Sequence, residues 1–377
     1  MRKFTLFFLI VMMVLTCNMA FGGGKTVLLS PGDKFPNLIF SDELGKKDKE
    51  YLGIKTPFFS FTKKENILLE EIQGELLFIE FFNKYCTSCQ LQAPVNNKVY
   101  DAVISDNNLK DRVKFIGIGA GNSKREVDSF RNEKKIRFPL LSDQDFNCYE
   151  DIGDPGGTPY MLLVKKTDSG FTVYSSHMGL NKDNEFFVKE IRDALKTDIK
   201  TLTHKKKEVD FKISQRKLEL DISEEEIIQN VELSINRVLK NEPPADKTVT
   251  KKMSAYEGLY MTKVSSGFKE DILYSKVLSR KPVCDVCHGI HFIVTFDAVG
   301  TIRDVHAIHL TKYGNVVWNE EDLKTINLRL VGMKIDGKIQ FNSEVDAVST
   351  ATMTSSLMYN SIKRLKPVID RLRKESN

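Results

Sequence analysis

The sequence predicts an α/β domain followed by an α+β domain, and three patterns within its 377 residues carry that prediction. The first is a nearly unbroken apolar run, Glu75-Leu76-Leu77-Phe78-Ile79-Glu80-Phe81-Phe82, which reads as a strand buried on both faces. It leads straight into Cys86-Thr87-Ser88-Cys89 at the head of a helix. The second is a pair of strands, Ile290 to Phe296 and Thr301 to Leu310, joined through Asp297-Ala298-Val299-Gly300. The third is a hydroxyl-rich string from Asp346 to Ser355 that enters an amphipathic helix. Met358, Ile362, Leu365, Ile369 and Leu372 recur there at spacings of three and four, and Pro367 is expected to kink or restart it. The length suits two domains, each able to close a core.

In chain order, residues 1–22 read as a signal peptide: Arg2 and Lys3, an apolar run from Phe4 to Leu15, then small Ala20 and Gly22. The run falls short of the roughly 20 residues that span a bilayer. Thr16 stands where lipidation signals prefer Gly, Ala or Ser, which argues against a lipoprotein anchor at Cys17. The expectation is an exported, periplasmic protein. Losing Arg2 and Lys3 lowers the formal charge from +5 to +3, dispersed among many acids and bases, so nucleic acid is not an expected partner. Of the remaining cysteines, four form two Cys-x-x-Cys pairs, and Cys148 reads as a small buried side chain.

Residues 23–200 form the first expected domain. Leu91, Val95, Val99 and Val103 mark a helix from Gln90 to Asp106. Cys86 at its start is expected to have a lowered pKa, because the helix dipole and free N–H groups favour the thiolate. Val113 to Gly119 reads as a second strand, Lys124 to Glu133 as a helix, and Tyr160 to Val164 as a third strand. From Pro31 to Leu195 this stretch resembles the thioredoxin-like thiol/disulfide oxidoreductases, of the exported kind tied to cytochrome maturation and disulfide reduction. Pro94 stands five residues past Cys89, where that family kinks its helix, and Gly157-Thr158-Pro159 matches its cis-proline loop. The resemblance implies Cys86 as nucleophile and Cys89 as resolving thiol. It also implies Glu80 as buried proton acceptor and Pro159 as the residue beside the disulfide. Tyr85 replaces the family's Trp before the first Cys, and Phe81-Phe82 its Phe-Trp pair. A peroxidase is not expected, because peroxiredoxins need a Pro and a Thr close before the attacking Cys.

Residues 201–244 are read as a linker and connecting helix. Ser223 and Glu226 form a capping box, Ile227, Val231, Ile235 and Val238 share a face, and Asn241-Glu242-Pro243-Pro244 closes the helix. Beyond it, Cys284, Cys287, His288, His291, His306 and His309 crowd between Lys281 and Leu310. Pairing Phe296 with Thr301 would set His291 opposite His306 and His288 opposite His309, with the two pairs on opposite faces. Four readings stay open here: a redox or structural disulfide, a zinc or iron site, a haem c site at Cys284/Cys287/His288, or plain packing.

The string Asp346-Ala347-Val348-Ser349-Thr350-Ala351-Thr352 resembles the attachment element of the exported FMN-binding domain family, whose last Thr carries FMN through a phosphoester made by a flavin transferase. That resemblance makes 245–377 an FMN-binding domain. It implies Thr352 as the attachment point, with Asp346, Ser349 and Thr354 around the cofactor. Hydroxyls and N–H groups at a helix start suit a phosphate. Thr350 departs from the family, which has a small residue there. The expected whole is a thiol/disulfide oxidoreductase or electron-transfer flavoprotein. FMN would take electrons from a membrane or soluble donor and exchange them with Cys86/Cys89 for an exported thiol client, with Cys284/Cys287 a possible intermediate step. The rival expectation is a non-enzymatic module that holds a client during cytochrome assembly.

Overall fold

The computed structural model describes residues 28–41, 44–55, 66–202, 222–240, 247–266, 269–284 and 287–376. The expected signal peptide and most of the expected linker therefore lie outside the described residues. Among the described residues no helix is long and apolar enough to cross a membrane.

The first domain runs β1 (Lys34–Phe35), β2 (Ile39–Phe40), α1 (Lys46–Leu52), β3 (Ile67–Leu68), β4 (Leu76–Phe82), α2 (Thr87–Ser105) and β5 (Val113–Ala120). It continues with α3 (Lys124–Glu133), β6 (Leu140–Asp143), α4 (Asn147–Asp151), β7 (Tyr160–Thr167), β8 (Gly170–Met178) and α5 (Asn184–Lys196). Its main sheet has the order β1-β8-β7-β4-β5-β6. Strand β4 sits in the middle, parallel to β5 and antiparallel to β7, and all seven of its residues are buried. Alternation then sorts them. Leu77, Ile79 and Phe81 enter one apolar cluster, while Leu76, Phe78 and Phe82 enter the cluster that holds Cys86 and Cys89. Glu80 shares the second face by the same parity.

The second domain holds α6 (Glu224–Leu239), β9 (Lys247–Lys252), β10 (Leu259–Ser266), β11 (Lys269–Arg280), β12 (Ile290–Asp297) and β13 (Ile302–His309). After these come β14 (Thr311–Lys312), β15 (Val316–Val317), α7 (Glu320–Leu330), α8 (Thr352–Lys363) and α9 (Lys366–Ser376). Strands β9 to β13 form an antiparallel meander. Helix α6 starts at the Ser223/Glu226 capping box and lays Val231, Ile235 and Val238 on Tyr260, Val264 and Ile293. The connecting helix is thus also a layer of the second domain. On the other sheet face, Val294 and Phe296 share an apolar cluster with Ile326, Met358 and Ile362. Pro367 falls in the first turn of α9, where its missing N–H leaves no hydrogen bond unmade.

The expected hairpin register does not hold. The Asp297 carboxylate accepts the Thr301 N–H, Thr301 bridges to Lys334, and Phe296 pairs with Ile302. Irregularities at His291/Phe292 and Thr295/Phe296 then place His291 opposite His309 and His306 opposite Ile293.

The two domains meet over a polar and apolar seam. Glu150 on α4 receives Arg280 at 2.9 Å and pairs with Arg364, and Arg280 also donates to Asn360 at 3.1 Å. Asn360 and Lys363 hold the backbone and side chain of Asp145. The Arg280 side chain is only 8% exposed, so removing its carboxylate partner strands a desolvated charge. Glu150→Ala is expected to lower unfolding free energy by roughly 2–3 kcal/mol, seen as a fall in denaturant midpoint. An unmoved midpoint would show that this pairing does not hold the seam.

Candidate active site

Between β4 and α2 the chain turns sharply, and side chains fix the turn. Asn83 donates to the Ala120 carbonyl at 2.7 Å and accepts the Tyr85 N–H, while Asn122 accepts the Lys84 N–H. Cys86 then takes the N-cap position of α2, where its side chain makes no capping hydrogen bond. Tyr85 donates its hydroxyl to Glu126 at 2.5 Å. The helix buries a different stripe from the expected one. Leu91 is 50% exposed, while Gln92, Asn96, Val99 and Val103 point inward. Gln92 bonds Asn96 at 2.9 Å and accepts the Asn181 N–H, and this buried polar pair turns the face. A Gln-Asn pair at i,i+4 was its visible trace in the sequence.

The Thr158–Pro159 bond is cis, and the Cys86 sulfur lies 3.3 Å from the Thr158 carbonyl oxygen. Cys86, Cys89 and Cys284 are all buried, and Cys287 is half-buried. The four sulfurs form a continuous run. Cys86 is in hydrogen-bond contact with Cys284 and with Cys89, and Cys284 with Cys287. The Cys86 thiol is held well below its ordinary value, first by the Cys284 contact and then by Cys89. Cys89 is pushed up, chiefly by burial, and Cys284 is pushed up by Cys287 and then by Cys86. A favoured thiolate is what a nucleophilic thiol requires, and Cys86 has it.

Glu80 lies beneath Cys89, whose titration its charge raises. Burial pushes Glu80 up to about 8, the neighbouring Asn96 amide pulls it slightly back, and neither carboxylate oxygen makes a hydrogen bond of good geometry within the protein. A carboxyl held so is neutral or charged near neutrality at small energetic difference, which suits a proton acceptor.

The remaining candidates divide between two places. His288 stacks on His309 with ring centres 5.8 Å apart, and His291 lies 6.4 Å from His309. His306 is elsewhere, under α6: Arg237 donates to its Nδ1, and its Nε2 donates to Asn230 at 2.8 Å. Burial and Arg237 lower His306 to about 4, so it is a neutral structural side chain. Among the described residues no three His, Cys, Asp or Glu side chains converge as a metal-ligand set.

Thr352 opens α8 and its side chain is half-buried. Thr354 donates to the Thr311 carbonyl, the Ser355 hydroxyl accepts the Val348 N–H, and Asp346 accepts the Asn342 N–H. Ser349 is exposed. Thr350 has a φ of 59°, the left-handed region that a small residue such as Gly enters freely, which accounts for the residue type of the resembled element. Met353, next to Thr352, packs against the cluster that contains Cys86, Cys89 and Cys284. A cleft of about 550 Å³ opens nearby between Tyr85, Arg125, Gln144 and the segment Gln340 to Glu344, and Thr352 is not part of its wall.

In the folded chain Glu80 keeps its proton up to about pH 8, against an ordinary value of 4.5. Its contribution to stability is therefore complete below about 4.5 and is lost as pH rises through 8. Glu80→Gln is expected to remove that loss. Asp143, pushed up to about 7 by burial, slopes the same way in both chains, so the difference between them isolates Glu80. Equal pH slopes in denaturation curves would sink the assignment.

Comparison with known proteins places this geometry. Residues 52–165 match the model of the AhpC/TSA family. Thiol-disulfide oxidoreductase ResA of Bacillus anthracis is 26% identical over 123 residues, which are 32% of this chain and 67% of the relative. ResA of Bacillus subtilis is 23% identical over 161 residues, 41% of this chain and 75% of the relative. Among solved structures, a secreted Mycobacterium tuberculosis disulfide oxidoreductase homologous to E. coli DsbE is 19% identical, with 34% of this chain and 88% of that one covered and a TM-score of 0.28. StoA from Bacillus subtilis is also 19% identical, covering 33% and 88%, with a TM-score of 0.28. Residues 52–165 thus lie in a thioredoxin-like AhpC/TSA domain.

Proposed function

We propose that the protein is an exported thiol/disulfide oxidoreductase in which Cys86 and Cys89 interconvert as one redox pair, linked to FMN carried on Thr352. The observation that carries the dithiol part is the placement of Cys86: N-cap of α2, beside the cis Thr158–Pro159 bond, with Cys89 and Glu80 behind it. The Cys86 thiolate attacks one sulfur of a partner disulfide, and the other leaves with the electron pair and takes a proton. Cys89 then gives its proton to Glu80 and attacks Cys86, which releases the partner's second sulfur as a thiolate. The partner gains two electrons, and Cys86–Cys89 becomes a disulfide. ResA relatives bear the name thiol-disulfide oxidoreductase, in keeping with this chemistry.

Support for the flavin is the position of Thr352 in the first turn of α8 and of Met353 against the thiol cluster. FMN, when bound, supplies electrons singly or in pairs, which suits a junction between an electron donor and a dithiol. Asp346, Ser349 and Thr354 would border it. Of the readings left open for Cys284 and Cys287, a dithiol is favoured over zinc or haem c because Cys284 contacts Cys86 and the histidines do not close around it.

Equilibration with dithiothreitol redox mixtures, followed by alkylation and peptide mapping, is expected to convert Cys86 and Cys89 together as a two-electron couple. Cys86→Ser abolishes that conversion. Thiols that persist at 86 and 89 across the whole range would defeat the dithiol reading. Protein exported from a host that has the flavin transferase is expected to keep yellow absorption after unfolding, and Thr352→Ala to lose it. An unmodified Thr352 together with no affinity for added FMN would remove the flavin and leave the dithiol. A colourless protein without exchange would point to the client-holding module.

A further inference from the structure

The loop after β11 lies in the position a client would take. Thr158, the residue before the cis proline, donates its hydroxyl to the Val283 carbonyl at 2.7 Å, and both groups are buried. The next residue, Cys284, sits in the same apolar cluster as Cys86 and Cys89 and contacts the Cys86 sulfur. Arg280 is anchored on Glu150, and Lys281 donates to the Asp154 carbonyl at 3.2 Å, so the segment that leads into this loop is tied to the first domain. Cys86 is 0% exposed as a result.

We propose that Cys284–Cys287 is the redox partner of Cys86–Cys89 within the same chain, with Cys86–Cys284 as the mixed disulfide between them. This deepens the dithiol reading above and rests on it. The Cys86 thiolate attacks Cys284 of an oxidised second pair, and the bond to Cys287 breaks, leaving Cys287 with the electron pair and a proton. Cys89 passes its proton to Glu80 and attacks Cys86, so Cys284 departs as a thiolate and is protonated in turn. Two electrons cross from the first pair to the second; Cys284 receives the proton that Cys89 gave up through Glu80, Cys287 takes its proton from solvent to match the Cys86 thiolate that began the exchange, and the reverse sequence returns them. The low titration of Cys86 and the raised one of Cys284 in the reduced protein fit a thiolate waiting at Cys86. Cys287, half-buried while the other three sulfurs are buried, is where an outside thiol or disulfide meets the run.

Removing both resolving sulfurs in Cys89→Ser/Cys287→Ser traps the exchange. Mild oxidation with diamide is expected to link Cys86 to Cys284 in most molecules, within the monomer and independent of protein concentration, as read by non-reducing peptide mapping. Thr158→Val in that background is expected to slow the link about fivefold, the factor carried by a buried hydrogen bond. A second measurement needs no cysteine variant: limited iodoacetamide treatment of the reduced wild-type protein is expected to label Cys287 ahead of Cys86.

Three results overturn the proposal. If an aromatic disulfide probe captures Cys86 while Cys284 stays free, the in-chain partner falls and the dithiol reading stands. If neither sulfur reacts in the trap and Cys86/Cys89 fail the redox titration, both readings fall together. If iodoacetamide reaches Cys86 first in the wild-type chain, the groove is not occupied as the geometry requires.

Discussion

The hydrogen bond from Thr158 to the Val283 carbonyl, with the Arg280–Glu150 pairing behind it, decides how the molecule is organised. One end of a long strand in the second domain is thereby held against the reactive loop of the first. Four sulfurs from two sequence regions about two hundred residues apart become neighbours. Cys89 is buried within its own domain, whereas Cys86 has Cys284 of the second domain against it. With that seam, one nucleophile is sealed and its partner is already in place, an arrangement in which most of the entropy of bringing reactants together is spent on folding.

Within the first domain the chemistry depends on strand parity and burial. Glu80 is on the thiol face of β4 because that face holds residues 76, 78, 80 and 82, and its raised titration follows from burial, which the Asn96 amide offsets only in part. The same apolar surroundings raise Cys89, so a proton can pass between two groups that both resist charge. Cys86 escapes this because neighbouring thiols and the helix start stabilise its anion.

Several features were legible residue by residue. The apolar run of β4, the Cys-x-x-Cys start of α2, the Ser223/Glu226 capping box and the break near Pro367 are local patterns, and local patterns set local structure. Less legible was the buried face of α2, where the apolar spacing nominated Leu91 and the polar Gln92–Asn96 pair was buried in its place. The β12–β13 register was read wrongly because Asp297 takes the Thr301 N–H and Phe296 pairs with Ile302, and two further irregularities, at Thr295/Phe296 and His291/Phe292, shift the later pairs again. His306 left the expected cluster for that reason, and Arg237 and Asn230 satisfied it under α6.

By itself the sequence determined the two element patterns, the Cys-x-x-Cys pair at the head of α2 with the acid of β4 before it, and the hydroxyl string at the head of α8, since each depends on residues close in the chain. Only the tertiary structure decided that Cys284 faces Cys86, that α6 closes the second sheet, and that Thr350 occupies a left-handed position. The physical reason is that contacts across the seam come from side chains far apart in sequence. Their meeting is fixed by the shared packing of two cores and by charges that must find partners once buried, and neither leaves a spacing to read.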